Sequence, residues 1–170
     1  HLWLAMYQRK IQKSNINEQI EYIYTFFKPE IEGKGMQFSF KNSLTSKEAI
    51  IKTDREKVFS ILTNLIKNAI KYSDFGTIEL GYNKKGKFLE FYVKDTGIGI
   101  LKDRQEAIFE RFIQADIADK NAYQGAGLGL SISKAYIEML GGEIRVESKF
   151  GKGSTFYFSL PYQTEAIKKD

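Results

Sequence analysis

The chain has 170 residues, of which 42% are hydrophobic and 28% are charged, a composition typical of a single globular domain. It contains no cysteine, which excludes disulfides and thiolate metal sites, and no apolar run approaches the length of a membrane span. The formal net charge is +5, but basic and acidic residues are interspersed along the whole chain. This pattern favours a solvated surface over a nucleic-acid-binding tract.

The amino-terminal part of the chain predicts a tail followed by a helix. Residues 1–14 carry little strand or turn signal and are interpreted as a helical tail or a remnant of cloning. Asn15 or Asn17 is predicted to cap a helix whose apolar residues follow at helical spacing. Pro29 is expected to interrupt this helix, and Gly33 to end it.

A pair of strands and a long helix are predicted next. Residues 36–41 alternate apolar and polar side chains as a half-buried strand does, and residues 49–52 are predicted to form its short partner. Asp54 is then expected to cap a helix that ends near Tyr72.

The second half of the chain predicts two hairpins, with an irregular stretch and a helix between them. The predicted strands are residues 77–82, 88–93, 143–148 and 154–160, and the predicted helix is residues 128–140. Residues 101–124 show only a short helical piece near 104–112, so they are predicted to form a functional lid or a disordered loop. These elements predict an α+β fold, a two-layer sandwich in which helices cover one face of a mixed, mostly antiparallel sheet.

One helix carries a polar stripe opposite its apolar side. Asn64, Asn68 and Lys71 stand at i, i+4 and i+7 of the helix that follows Asp54. A solvated helix face is the ordinary explanation of such a stripe. However, asparagine is a poor helix former, its oxygen can ligate Mg²⁺, and a lysine one turn later can pair with phosphates.

Two glycine-rich clusters indicate a nucleotide site. Nine of the 14 glycines lie between residues 97 and 153. Asp95 follows a predicted strand and precedes Gly97 and Gly99, where its carboxylate can accept a hydrogen bond from an exocyclic amine, or simply begin a turn. Residues 125–130 lead into a helix whose N-terminus can face phosphate, although neither the Rossmann nor the P-loop pattern is satisfied.

In their order along the chain, these segments resemble the sequence boxes of bacterial sensor histidine kinases. The segments similar to the N, G1, F, G2 and final glycine boxes are residues 64–73, 95–100, 108–112, 125–130 and 151–156. The resemblance covers about residues 54–160. It implies the catalytic, ATP-binding domain of a histidine kinase, with the Bergerat fold that gyrase, Hsp90 and MutL share.

The resemblance also implies a role for each matching residue. Asn68 is expected to ligate Mg²⁺ beside Asn64, Lys71 to contact the phosphates, and Tyr72 to lie against the base or ribose. Asp95 is expected to bind the adenine amine. The other residues expected to bind the nucleotide, in the adenine pocket or through the lid, are Gly97, Gly99, Ile100, Phe112, Gly125, Ala126, Gly127, Leu128, Gly129, Leu130 and Thr155.

Three further positions qualify this assignment. Thr155 is expected to support Asp95 by a hydroxyl or water contact to adenine. Gln114 is grouped with Asn68 and Lys71 as a catalytic residue, but it stands where many relatives carry arginine. Leu101 stands where proline is common, a departure expected to have little effect.

The position one turn before Asn68 separates transfer from hydrolysis. Gyrase, Hsp90, MutL and the anti-sigma serine kinases carry a glutamate there as general base, whereas this chain has Asn64. An amide cannot take a proton at neutral pH, so the chain lacks a base for activating water or serine. A neutral histidine is already nucleophilic, which favours a histidine kinase that binds Mg²⁺ and ATP.

The phosphate-accepting histidine is expected on another part of the parent protein. His1 is the only histidine, and no acidic or proline-containing acceptor motif follows it. We therefore expect residues 1–15 to be a tail or the end of a dimerisation hairpin, residues 16–163 to be the catalytic domain, and residues 164–170 to be a second tail. The domain is expected to bind ATP as a monomer and to be unable to phosphorylate itself.

The expected partners are the histidine-bearing dimerisation domain of the parent and, downstream, the receiver domain of a response regulator. No nucleic-acid binding and no membrane contact by this part are expected. The domain is expected to be cytoplasmic. Its parent protein can be anchored in the bacterial inner membrane. The alternatives are a nucleotide-binding pseudokinase or regulatory domain, a protein serine kinase of the same fold, and a nucleic-acid-binding module.

Overall fold

The computed structural model of the chain describes residues 8–110 and 126–164, and within the second range the side chains from residue 129 onward. Three helices lie in it: α1 (Ile16–Gly33), α2 (Arg55–Lys71) and α3 (Ala126–Met139). The seven strands are β1 (Gln12–Asn15), β2 (Gln37–Asn42), β3 (Ile50–Thr53), β4 (Thr77–Lys85), β5 (Phe88–Asp95), β6 (Ile144–Lys149) and β7 (Gly153–Pro161). Two short 3₁₀ turns, Lys102–Arg104 and Ala107–Phe109, follow β5.

Five strands form the main sheet, in the order β2-β4-β5-β7-β6. The β2–β4 pair is parallel, and the other pairs are antiparallel. Alternate side chains on β5 and β7 are buried, and the rings of Phe91 and Phe158 stack with centroids 4.7 Å apart. The predicted α+β fold, with a mixed, mostly antiparallel sheet, is confirmed.

The core fills the space between one face of the sheet and the helices. Its helical side chains recur every three or four residues, which places them on one face of each helix. They include Ile16, Ile20, Ile23, Phe27 and Ile31 of α1, and Val58, Ile61, Leu62, Leu65 and Ile66 of α2. Within the described residues, no helix is both long enough and apolar enough to cross a membrane.

Local signals predicted the beginnings of the first two helices correctly. Asn15 is the N-cap of α1, and its side chain accepts a hydrogen bond from the Glu18 N–H. Asp54 is the N-cap of α2, where it accepts from the Lys57 N–H at 3.1 Å. The expected interruption at Pro29 is wrong, because α1 continues through this exposed residue to Gly33. Buried apolar side chains on both sides of the proline hold the last turn in place.

The amino-terminal residues correct two further expectations. Residues 12–15 form β1, a strand rather than a helical tail, so regular structure is present before Ile16. β3 pairs antiparallel with β1, with Gln12 opposite Thr53, and not with β2, whose partner is β4. The sequence of β1 is polar, so its strand conformation depends on its partner and not on an apolar pattern.

Asp54 lies between the two-stranded sheet of β1 and β3 and the helix α2, and it forms an ion pair that has little access to solvent. One carboxylate oxygen accepts from the Lys10 N–H at 2.8 Å and lies 3.2 Å from the Lys57 ammonium. Burial opposes the charged form, but the hydrogen bonds from Lys10 and Lys57 outweigh it and lower the pKa of Asp54. A lowered pKa stabilises the fold above the ordinary aspartate pKa, and that stability is lost as the pH falls through the folded value.

Replacing Asp54 with alanine is therefore expected to lower the free energy of unfolding at pH 7 by about 1–3 kcal/mol. The difference from wild type should shrink as the pH falls below the ordinary carboxyl value of 3.8. Urea denaturation at pH 7 and pH 3 measures both effects. Glu56→Ala is the matched control, because it removes an exposed charge from the same first turn. An equal loss in the two variants would contradict the role of the Asp54 contacts.

Candidate functional site

Asp95 is the last residue of β5, and its side chain lies on the buried face of the sheet with 6% of the residue exposed. Its Oδ1 accepts a hydrogen bond from the Gly97 N–H at 2.8 Å. Burial raises the pKa of Asp95. The N–H groups of Gly97 and Ser154 and a hydroxyl contact from Ser73 oppose that effect without cancelling it. The result is a carboxylate acceptor in a largely dry environment.

The two glycines after Asp95 are required by contacts within the protein. A Cβ on Gly97 would lie 2.1 Å from the Tyr72 carbonyl oxygen. Gly99 has φ +77°, and a Cβ there would lie 2.3 Å from the Lys149 carbonyl oxygen. The loop after β5 is thus pressed between the end of α2 and the turn that joins β6 to β7.

Hydrogen bonds fasten this loop on both sides. The Ile98 N–H donates to the Tyr72 carbonyl at 3.1 Å, and the Ile98 carbonyl accepts from the Gly151 N–H at 2.6 Å. The Ile100 N–H donates to the Ser148 Oγ at 2.7 Å. Ile100, assigned to the nucleotide pocket from the sequence, therefore belongs to the same fixed loop as Gly97 and Gly99.

The polar stripe of α2 faces α3 at its first position and is buried at its second. The Asn64 Nδ2 donates to the Gly129 carbonyl at 3.3 Å and to the Ser133 Oγ at 3.2 Å. Asn68 is 9% exposed, and its Oδ1 is buried with no hydrogen-bond partner among the described residues. The simple interpretation as a solvated helix face therefore fails for these two asparagines.

An orphaned buried acceptor costs about 1–3 kcal/mol unless a ligand satisfies it. The Asn68 oxygen therefore fits a hard cation such as Mg²⁺, which prefers oxygen ligands and keeps phosphates and waters in its shell. Within residues 8–110 and 126–164, no cluster of three or more histidine, cysteine or acidic residues can hold a metal by itself. A cation at Asn68 therefore needs further oxygen ligands, which bound phosphates and water can supply.

The C-terminal end of α2 carries the two remaining residues of the predicted N box that were assigned to the site. Lys71 is exposed, and its ammonium lies 5.7 Å from the centre of the Tyr72 ring, which is half-buried. Tyr72 is the C-cap of α2, and its carbonyl contacts the loop after Asp95. The structure thus brings the lysine, the tyrosine and the aspartate loop to one end of the helix.

Thr155 is not beside Asp95, so this expectation is corrected. In the β5–β7 register, Ser154 lies opposite Asp95, and Thr155 lies opposite Lys94. Because successive side chains of a strand point to opposite faces, Thr155 faces away from the buried carboxylate. Ser154 is the residue that sequence reasoning missed, and its signal was its place directly after Gly153 in the final glycine box.

The predicted lid falls largely outside the described residues. Phe112, Gln114 and Gly125, which were assigned to the site from the sequence, are outside the described residues. The helix α3 begins at Ala126. The backbone of Ala126, Gly127 and Leu128 therefore lies in its first turn. Gly129 contacts Asn64, and Leu130 is buried in the core.

Replacing Gly97 with alanine is expected to lower the free energy of unfolding by at least about 2 kcal/mol, because the new methyl group meets a backbone carbonyl that cannot move alone. Gly129→Ala is the matched control. The nearest atom to its new methyl is the Asn64 Cγ at 3.5 Å, an ordinary contact, and alanine favours a helix. Thermal and urea denaturation measure both variants. Equal stability of the two would contradict the close packing of Gly97 on α2.

The family model of the histidine kinase-, DNA gyrase B- and HSP90-like ATPases matches residues 53–164. The chain belongs to this family. The match contains both glycine-rich loops, Asn64, Asn68 and Asp95, so it covers every part of the site described above.

Members of the family that are similar to this chain include sensor kinases. The autoinducer 2 sensor kinase/phosphatase LuxQ of Vibrio vulnificus strain YJ016 is 37% identical over 155 residues, which cover 88% of this chain and 18% of LuxQ. Full-length ShkA in complex with AMPPNP superposes with a TM-score of 0.79 at 29% identity, over 92% of this chain and 32% of ShkA. The chain therefore spans about a fifth to a third of these proteins.

A third comparison matches an isolated domain. The catalytic domain of the histidine kinase ThkA, in a nucleotide-free form, has a TM-score of 0.78 at 28% identity, over 91% of this chain and 97% of that domain. ThkA has also been solved in complex with the response regulator protein TrrA, and that structure matches with a TM-score of 0.74 at 25% identity. The chain thus has the fold of a histidine kinase catalytic domain.

Proposed function

We propose that this chain is the catalytic domain of a sensor histidine kinase, which binds Mg²⁺ and ATP and donates the γ-phosphoryl group to a histidine on another domain of its parent. The observation that carries the proposal is the orphaned, buried Asn68 oxygen on α2. The buried Asp95 carboxylate, at the end of β5, lies on the loop that contacts the C-terminal end of the same helix. Family membership and the AMPPNP complex of ShkA support a nucleotide as the common ligand.

In this proposal, Asp95 selects the base. An adenine amine donates to the carboxylate, while the Gly97 N–H already occupies one side of Oδ1. Removal of the carboxylate from water strengthens this hydrogen bond, because the alternative partner, solvent, has little access. The loop formed by Gly97, Ile98, Gly99 and Ile100 holds the acceptor in place before a nucleotide arrives.

Asn68 and Lys71 serve the phosphate end. Asn68 would hold Mg²⁺ together with the nucleotide phosphates, and the ion would supply charge neutralisation to the transferring phosphoryl group. Lys71 lies one turn further along the helix, exposed, where its ammonium can reach phosphate oxygens. Gln114 and the first turn of α3 complete the proposed phosphate contacts.

The absence of a carboxylate at Asn64 fits transfer to histidine. The Asn64 amide donates to Gly129 and Ser133, so it fastens α3 to α2 and offers no base. In the transfer step, an imidazole nitrogen lone pair forms the new N–P bond. The bond from the γ-phosphorus to the bridging oxygen breaks, and ADP leaves with that electron pair. The neutral imidazole needs no proton removed before it attacks.

We further propose that the acceptor histidine belongs to a dimerisation domain outside this chain, and that a response regulator receives the phosphoryl group afterwards. The complex of ThkA with TrrA supports a partner of this kind. The chain covers 18% of LuxQ, which leaves ample sequence for sensing and dimerisation domains in such a parent.

Two measurements test the proposal. Calorimetric titration with AMPPNP is expected to show binding that Mg²⁺ strengthens. Incubation with radiolabelled ATP is then expected to label a supplied dimerisation domain with acid-labile phosphate, and to leave the isolated chain unlabelled. Stable labelling of the chain itself would contradict an acceptor in trans. Nucleotide binding without any transfer would indicate a pseudokinase.

A further inference from the structure

Lys34 lies between the end of α1 and the start of β2. It is the C-cap residue of α1, followed by Gly35 with φ +82°, whose N–H donates to the Glu32 carbonyl at 2.9 Å. Although the residue lies at the surface, the Lys34 ammonium reaches across to α2. It donates to the Ile70 carbonyl at 2.6 Å and to the Ser73 carbonyl at 2.6 Å.

These two carbonyls lie at the C-terminal end of α2, where the helix leaves backbone acceptors unsatisfied and carries partial negative charge. An ammonium that bridges them makes two short, charge-assisted hydrogen bonds. The two carbonyls lie 36 and 39 residues after Lys34 in the sequence. The Lys34 ammonium therefore fixes the end of α2 to the end of α1.

The segment that Lys34 holds is the one that supports the loop after Asp95. The Tyr72 carbonyl accepts from the Ile98 N–H. The Thr96 Oγ1 donates to the Phe75 carbonyl at 3.1 Å and accepts from the Thr77 N–H at 3.1 Å. Hydrogen bonds therefore connect both ends of the segment 72–77 to residues 96–98.

A second bond strengthens the same connection. The Gln37 N–H, at the start of β2, donates to the Gly76 carbonyl at 3.0 Å. The turn between α1 and β2 thus contacts both ends of the segment that follows α2. Because Gly97 leaves no space beside the Tyr72 carbonyl, a displacement of this segment must displace the loop that carries Asp95.

We propose that Lys34 is a positioning residue for the adenine end of the nucleotide site. It touches no nucleotide in this proposal and acts through the Ile70 and Ser73 carbonyls, which set the position of Tyr72 and of the Asp95 loop. The inference rests on the proposed function, because it assigns adenine to Asp95.

The test compares Lys34→Met, which keeps the stem and removes the ammonium, with Lys34→Arg, whose guanidinium can donate to two carbonyls. Lys34→Met is expected to weaken AMPPNP and ADP binding by the same factor, about tenfold. The gain in affinity that Mg²⁺ gives is expected to stay at its wild-type ratio, because the Lys34 ammonium bonds to the carbonyls of Ile70 and Ser73, which follow Asn68 in the chain. Lys34→Arg is expected to restore most of the affinity.

Lys28→Met is the matched control, since Lys28 lies on α1 and pairs only with exposed Glu32 at 3.8 Å among the ion pairs of the described residues. It is expected to bind nucleotide like wild type. If Lys34→Met is too unstable to titrate, Lys34→Gln, with a shorter amide donor, replaces it and is expected to show a weakened affinity for both nucleotides.

Three outcomes would overturn the inference. A lower melting temperature in Lys34→Met with unchanged nucleotide affinity would indicate a purely structural residue. A loss that appears only with Mg²⁺ present would place the effect at the phosphate end. Failure of the wild-type chain to bind AMPPNP would overturn the proposed function as well, whereas normal wild-type binding with an unaffected Lys34→Met variant overturns the inference alone.

Discussion

Replacing Asp95 with asparagine is expected to weaken AMPPNP binding by about 100-fold or more. The asparagine side chain keeps the shape, but it has one acceptor oxygen instead of two and no charge, and the Gly97 N–H already occupies an oxygen at this position. If the amide turns its NH₂ toward the base, two donors face each other in a site with little water. Calorimetric titration on the isolated chain measures the loss.

The fold should survive this change, which separates a binding effect from unfolding. Burial raises the pKa of Asp95, so its contribution to stability is fully present below the unfolded carboxyl pKa and is lost as the pH rises through the folded value. At pH 7, Asp95→Asn is therefore expected to be as stable as wild type or more stable. The difference should diminish as the pH is lowered toward the ordinary aspartate value.

Asp74→Asn provides the control, because Asp74 is an exposed acid in the segment that follows α2. It is expected to leave the affinity for AMPPNP unchanged. An Asp95→Asn protein that is folded and binds AMPPNP normally would contradict the role of Asp95. Loss of binding together with loss of the native fold would show that the carboxylate serves the structure and not the base.

The parts of the fold that the sequence predicted correctly are those with local signals. The caps at Asn15 and Asp54 were recognisable because a side chain and an N–H three residues later satisfy each other. The β4–β5 and β6–β7 hairpins were recognisable because alternation and turn residues are adjacent in sequence. In each case, the interacting groups are close together in the chain.

The errors concern contacts between distant residues. The polar strand β1 exists because β3, about 40 residues later, supplies its hydrogen bonds. The helix α1 passes Pro29 because core contacts hold its last turn, against the preference of an isolated proline. The periodicity of the sequence therefore does not predict β1, because this strand depends on its pairing with a distant segment.

The candidate site shows the same division at the scale of single residues. Asp95 and the glycines were found because their order matches a known series of boxes. Thr155 was misplaced by one residue, since the face of a strand changes at every position and only the register shows that Ser154 lies opposite Asp95. Lys34 gave no signal, because its carbonyl partners lie 36 and 39 residues further along the chain.

The second large effect concerns Asn68. Replacing it with alanine is expected to change the free energy of unfolding by less than about 1 kcal/mol, since the lost packing is offset by removal of an unpaired buried acceptor. The same variant is expected to lose the gain in AMPPNP affinity that Mg²⁺ gives. Its rate of phosphoryl transfer is expected to fall by at least about 100-fold. Titration with and without Mg²⁺, together with urea denaturation, measures both quantities.

Asn64→Ala is expected to show the opposite pattern, which makes the pair decisive. The Asn64 amide already donates to Gly129 and Ser133, so its removal should cost about 1–2 kcal/mol of stability. Its effect on the Mg²⁺ dependence should be smaller than that of Asn68→Ala, because its bonded atoms serve the contact between α2 and α3. If Asn68→Ala keeps the full effect of Mg²⁺ on nucleotide affinity, the metal is not held by Asn68. If Asn64→Ala loses that effect at full stability, the asparagine nearer to α3 is the metal ligand instead.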